Sequence, residues 1–188
     1  MDLSTFCSEI ILFDKEGFKF SRVKKNHYKL LFTIENKNII LSKVIDFNLI
    51  KLIYDLNPDV YEKVNVEKIN DFEVESTLLM KHLFEDLGLP QKFSYLRMKK
   101  TIEGNKILFN SESITNLRPE GIPKDAEQMN IQHLTSECNI ITPHKIDFTF
   151  YIVFEPYANI PQFVEKMVGV ILHKIFKRVK QFIENVRI

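Results

Sequence analysis

The sequence predicts an α+β domain: a curved antiparallel sheet of about seven strands wrapped around one long C-terminal helix. Three observations carry that reading. From Glu155 to the C-terminus, apolar side chains recur at spacings of three and four. From Val64 to Glu155 the period falls to roughly two, interrupted by turn residues. The stretch Lys145 to Glu155 alternates most cleanly, with Ile146, Phe148, Phe150, Ile152 and Phe154 on one face and Asp147, Thr149, Tyr151 and Glu155 on the other. Such a strand needs an apolar partner surface, and the helix that follows supplies one.

In that helix Phe163, Met167, Ile171, Ile175, Val179, Phe182 and Val186 form the stripe, with Lys166, Lys174, Arg178, Lys180 and Gln181 between them. Pro156 and Pro161 mark its start, so the helix is placed at Pro161 to Val186, about 40 Å long at 1.5 Å per residue. Met167, Val168, Val170, Ile171 and Leu172 are apolar almost all round and enclose Gly169, which predicts burial on several sides and a close neighbour at the glycine. Lys174, Lys177, Arg178 and Lys180 make the outer face basic towards the C-terminus. That pattern suits the helix macrodipole and hydration; contact with a membrane surface or an acidic partner is the alternative.

Earlier in the chain, Leu3 to Phe20 reads equally as a short helix or an edge strand. Tyr28 to Ile34 and Ile39 to Ile45 flank a polar turn and read as a hairpin. Asp46 sits where an N-cap belongs, and Leu49, Ile50, Ile53 and Leu56 follow at helical spacing until Asn57-Pro58 stops the pattern. A meander follows: Val64 to Ile69, Phe72 to Phe84, Phe93 to Ile102, Lys106 to Ile114, Met129 to Ile141 and Lys145 to Glu155. In the second of these, Leu78, Met80, His82 and Phe84 share a face. Glu103-Gly104-Asn105 reads as a compact hairpin connection with glycine where positive φ is needed.

A chain of 188 residues is one domain, able to bury roughly 70% of the surface its unfolded form exposes. Residues 1–37 are read as an N-terminal extension packing on a domain spanning 38–188. Apolar content is 45%, rich in Phe and without Trp. Net charge is +1, and Lys24-Lys25 and Lys99-Lys100 are isolated pairs, so nothing suggests nucleic acid. Cys7 and Cys138 lack any metal or redox spacing, which fits a reducing compartment. With no signal peptide and no apolar run of about 20 residues, the expectation is a soluble, cytoplasmic protein. Motifs of metalloproteases, nucleophile elbows, phosphate loops and EF-hands are missing, and His27, His82, His133, His144 and His173 are scattered. No cofactor or metal is called for.

The element order and the stretch FYIVFEPYANIPQFVEKMVG resemble the START-like, helix-grip superfamily, also called SRPBCC. The resemblance covers about Asn38 to Val186. The Trp common after the short helix is replaced by Tyr61, and the glycine-rich loop of the pollen-allergen branch is missing. What the resemblance implies is a cavity between sheet and long helix for a hydrophobic molecule of lipid kind, hence a carrier or sensor with no catalytic residue. The inward side chains would be Met80, His82, Leu96, Met98, Leu134, Ser136, Phe148, Phe150 and Ile152, closed by Met167, Val170 and Ile171; a dry interlocked core is the competing arrangement. Thr115 to Gln128 is the longest aperiodic stretch and the place for a lid, with Ile122 facing the opening; a plain surface loop is the alternative. Arg97 and Glu137 could enter as a pair, although Leu96 and Met98 turn Arg97 outwards. Two other functions remain open on the same fold: a cyclase or dehydratase with His82 as acid/base, and a protein-interaction or co-chaperone-like module using the outer sheet face or the basic end of the helix. Oligomeric state is not encoded in any of these patterns.

Overall fold

The computed structural model describes residues 9–83 and 85–187. Cys7, the start of the Leu3 to Phe20 segment and Phe84 lie outside the described residues.

The chain opens with three antiparallel strands, β1 (Ile10–Lys15), β2 (Phe18–Lys24) and β3 (His27–Glu35). Glu16 and Gly17, both at positive φ (54° and 77°), make the tight β1–β2 turn. The undecided N-terminal segment is therefore strand. Its inward residues Phe18 and Phe20, and Tyr28, Leu30, Phe32 and Ile34 of β3, are nearly solvent-free. Helix α1 (Phe47–Asp55) begins at Asp46, whose carboxylate accepts the Asn48 amide at 2.8 Å. The antiparallel meander is β4 (Tyr61–Asn70), β5 (Glu73–Met80), β6 (Lys92–Glu103), β7 (Lys106–Ser113), β9 (Ile131–Thr142) and β10 (Lys145–Phe154). A two-residue strand, β8 (Glu127–Gln128), joins β6 in parallel. Helix α2 (Gln162–Asn185) closes the chain.

Among the described residues, ten strands form one sheet in the order β1-β2-β3-β10-β9-β7-β6-β5-β4, with β8 beside β6. The sheet exceeds the expected seven strands because residues 10–35 enter it, β3 pairing with β10 from Lys145↔Glu35 to Val153↔His27. The predicted hairpin over Ile39 to Ile45 does not form. The Asn36 and Leu41 amides bond instead to the carbonyls of His144 and Pro143 in the β9–β10 turn, and Leu41–Lys43 is a single 3-10 turn. Ile39, Leu41 and Ile45 are buried there without a strand partner. Asn36 also donates to the carbonyls of Ile183 (2.6 Å) and Val186 (2.9 Å), which satisfies the C-terminal end of α2.

Helix α2 lies on the inner face of the sheet and also touches α1, β1 and β3. Phe176 anchors it, 5.3–5.4 Å from the rings of Phe32, Phe148 and Phe150, while Phe32 and Phe148 stack at 4.7 Å across the β3–β10 pair. Gly169 meets the sheet most closely: a Cβ there would stand 2.9 Å from Cδ1 of Phe20 and 3.2 Å from Cε1 of Phe13. The close neighbour expected at this glycine is thus β1–β2. The basic end of the helix is largely spent on internal pairs, Lys174 and Arg178 with Asp59 and Lys177 with Glu16.

Two predictions follow from this packing. Phe176→Ala should cost about 3–5 kcal/mol in urea denaturation, since it opens a void among three aromatic rings. Gly169→Ala should lower Tm by several degrees despite the roughly 1 kcal/mol gain in helix propensity, because Phe20 would have to leave its packing on Phe13 and Tyr28; an unchanged or higher Tm would contradict the contact.

Candidate functional site

Where β4–β6 curve away from α2, the sheet and helix leave a cavity of about 390 Å³, roofed in part by α1. Period-two alternation places its wall. Leu78 and Met80 on β5, Ser94, Leu96 and Met98 on β6, Leu134 and Ser136 on β9, and Phe150 and Ile152 on β10 all point inwards. From α2 come Val164, Val168, Ile171, Leu172, Ile175 and Phe176, and from α1 Ile50, Ile53 and Tyr54. The wall is overwhelmingly apolar; the lining segments Leu89-Pro90, Gln128 to Asn130 and Asn159 to Pro161 are partly or fully exposed and mark its mouth.

Of the side chains assigned to the cavity from sequence, Met80, Leu96, Met98, Leu134, Ser136, Phe150, Ile152 and Ile171 line it. Five do not. His82 is exposed: β5 ends at Met80, so the alternation does not continue to it, and its Nε2 lies 2.6 Å from the Leu89 carbonyl in the β5–β6 loop. Val170 is 65% exposed and Met167 lies off the wall, because α2 is rotated from the predicted stripe. Glu165, Gly169, Ile175, Phe176, Val179 and Ile183 are its buried residues, whereas Phe163 and Phe182 face solvent. Phe148 is buried but belongs to the aromatic clamp on Phe176. Ile122 packs with Leu79, Phe93 and Ala126. Leu79 and Phe93 alternate with inward Leu78 and Ser94, so Ile122 and its part of the Thr115 to Gln128 loop cover the outer face of the sheet, and of that loop only its last residue, Gln128, reaches the cavity lining. Arg118 fastens it, lying 5.0 Å over the Phe93 ring and donating to the Ala126 carbonyl at 2.8 Å. Arg97 does point outwards, pairing with Glu75 at 2.6 Å, and Glu137 pairs with Lys106.

Several polar groups in the wall, Tyr54, Tyr61, Ser94 and Glu165, are not among the side chains assigned to it from sequence. Glu165, in the first turn of α2, is 4% exposed. Its carboxylate accepts Tyr28 Oη at 2.7 Å and Arg22 Nη1 at 2.9 Å to each oxygen. Burial, then the hydrogen bond to Glu165, pushes the Tyr28 phenol well above its usual range, so it stays a donor. The cluster ties the start of α2 to β2 and β3, and the helix N-terminus favours the negative charge there. Glutamate in a run of apolar helix residues looks solvent-facing in sequence, and Arg22 lies too far away to reveal the pairing.

A curved antiparallel sheet closed on a long C-terminal helix is the helix-grip architecture, and the chain has the START-like fold. Among solved structures it is similar to the lipid transfer and protein localization domain of human StarD13, with TM-score 0.68 and 9% identity over 95% of this chain and 90% of that one. It is also similar to human StAR-related lipid transfer protein 5, with TM-score 0.65 and 13% identity over 94% of this chain and 88% of that one. A StAR-related lipid transfer protein fragment from Xanthomonas axonopodis gives TM-score 0.63 and 12% identity over 93% of this chain and 98% of that one. No protein-family model matches the sequence, and no curated protein matches it. Among the described residues, no helix is long and apolar enough to cross a membrane.

Arg22→Leu should destabilise by about 1–3 kcal/mol, because it leaves the buried Glu165 carboxylate with Tyr28 alone. Arg97→Leu, which breaks an exposed pair, should cost under about 1 kcal/mol. Equal losses in urea melts would show that the Glu165 cluster is not a buried tie.

Proposed function

We propose that the protein is a non-catalytic carrier or sensor of one hydrophobic small molecule of lipid type, held between the sheet and the N-terminal half of α2. The observation that carries this reading is the cavity itself. About 390 Å³ of space lined by Met80, Leu134, Phe150, Ile171 and Leu172 is within the size range of small-molecule sites. An apolar void of this size forfeits packing contacts, and an apolar occupant restores them. The similarity to domains whose names state lipid transfer supports the same reading.

Uptake would run through the mouth. Leu87 on the β5–β6 loop and Tyr157 and Phe163 before and at the start of α2 are large apolar side chains exposed on the segments that border it. A transient contact with a membrane surface there would present the opening to lipid. The cyclase-type alternative finds no support in an exposed His82, nor does an acidic-partner surface in a helix end whose Lys174, Lys177 and Arg178 are paired internally.

Native mass spectrometry of the purified protein with a lipid panel tests the proposal: one bound molecule and a raised Tm are expected, and neither for any lipid would overturn it. Leu134→Trp should fill the space and reduce loading at least tenfold while the apo protein still melts cooperatively. His82→Phe should load as the parent does.

A further inference from the structure

The polar groups of the cavity fall into two sets that differ in charge. On the β2–β3 side, the Glu165 carboxylate is already taken up by Arg22 and Tyr28. Lys92, nearer the mouth, is held by Glu127 at 2.6 Å. On the opposite side, where α1 packs on β4, the polar groups of the wall are hydroxyls, with Lys92 and its Glu127 partner one inward step along β6 from Ser94. Tyr54 and Tyr61 meet edge to face at 5.1 Å, and both line the cavity, as does Ser94. Ser76 stands beside Tyr54 one inward step along β5 from Leu78, the register partner of Ser94. Burial pushes both phenols far above their usual range. Ser94 is 1% exposed, and its Oγ has no hydrogen-bond partner among the described residues. A buried hydroxyl without a partner costs about 1–3 kcal/mol of desolvation that an occupant able to bond it would offset.

We infer that this hydroxyl end, with Ser94 and Tyr61 at its centre, receives an uncharged hydroxyl or carbonyl group of the occupant. The ligand class is therefore a neutral amphiphile with a single small polar group and one apolar body, such as a long-chain or polycyclic alcohol. A carboxylate or phosphate would be buried here beside the three hydroxyls of Tyr54, Tyr61 and Ser94, with Lys92, the lining cation on this side among the described residues, already held by Glu127, at a cost that neutral oxygen does not incur. The apolar body would lie along Leu134, Phe150 and Ile171. This inference rests on the hydrophobic-ligand reading and specifies it.

Three probes of equal chain length separate the two claims: tetradecane, 1-tetradecanol and tetradecanoate at pH 8, each titrated into the full chain and read by native mass spectrometry and Tm. The alcohol should bind several-fold more tightly than either of the others. Ser94→Ala and Tyr61→Phe should each weaken alcohol binding about three- to tenfold and leave the alkane unchanged. Ser94→Ala should also leave the Tm of the free protein equal or higher, because it removes an unpaired hydroxyl, which a purely structural role would not produce. Alkane and alcohol binding equally, with both variants silent, would overturn the hydroxyl site and leave the hydrophobic-ligand reading intact. Preferential binding of tetradecanoate would overturn the neutral class. Binding of none of the three, nor of any lipid in the panel, would overturn the hydrophobic-ligand reading itself.

Discussion

The structure depends on one contact, Phe176 wedged among Phe32, Phe148 and Phe150. Those three rings come from adjacent strands that are distant in sequence, β3 and β10, so the clamp joins the two ends of the chain through the middle of the sheet. Burying each ring contributes about 1.5–3 kcal/mol, and the ring geometry adds to it. With the C-terminal half of α2 held here, and Gly169 seated on Phe20, the helix has no freedom to settle evenly over a ten-stranded sheet. It follows β1–β3 and β10. The far strands β4–β6 twist away, as a right-handed sheet of this width must, and the cavity is the space that divergence leaves.

Polar interactions then fix what hydrophobic packing leaves loose. Glu165 with Arg22 and Tyr28 holds the first turn of α2, and Asn36 holds the last by donating to two of its terminal carbonyls. Asp59 between Lys174 and Arg178 keeps α1 and α2 in register, and its carboxyl lies far below the usual aspartate range because both cations donate to it. Asn26 does the same for the loop before α2, donating to the carbonyls of Glu155 and Ala158 at 2.9 Å. The helix is therefore tied at its ends and clamped in its C-terminal half, while the stretch from Val164 to Leu172 faces the cavity with one tight contact at Gly169.

Elements were far more legible in the sequence than faces. Strand periodicity from Val64 onwards, the Asp46 cap and the terminal helix were all readable because each is set by neighbouring residues. Eight of the wall side chains were readable for the same reason: once a strand is placed, alternation orients it. His82 was misassigned because alternation says nothing of where a strand stops. Val170 and Met167 were misassigned because α2 is apolar all round in that stretch, so periodicity leaves its rotation undetermined. That rotation is decided by Phe176 fitting among Phe32, Phe148 and Phe150 and by Gly169 meeting Phe20, contacts between segments that are not neighbours in sequence. Ile122 was misassigned because the outer face of β5 and β6 is also apolar at Leu79 and Phe93, which gives the loop a dry surface of its own to cover.

Among the described residues the sheet does not close into a barrel, and β1 and β4 each have a strand neighbour on one side only. On β4 the other side is guarded by charge, with Glu62, Lys63, Glu67 and Lys68 exposed along the strand. On β1 it is guarded by geometry, since the register slips between Ile11 and Phe13 and the strand cannot present a flat ladder, although Ile10 and Ile11 are half-exposed there. Charge and irregularity both discourage end-to-end zippering with a second copy. A half-open shell of this kind can keep an internal hollow accessible without becoming a seed for fibrils.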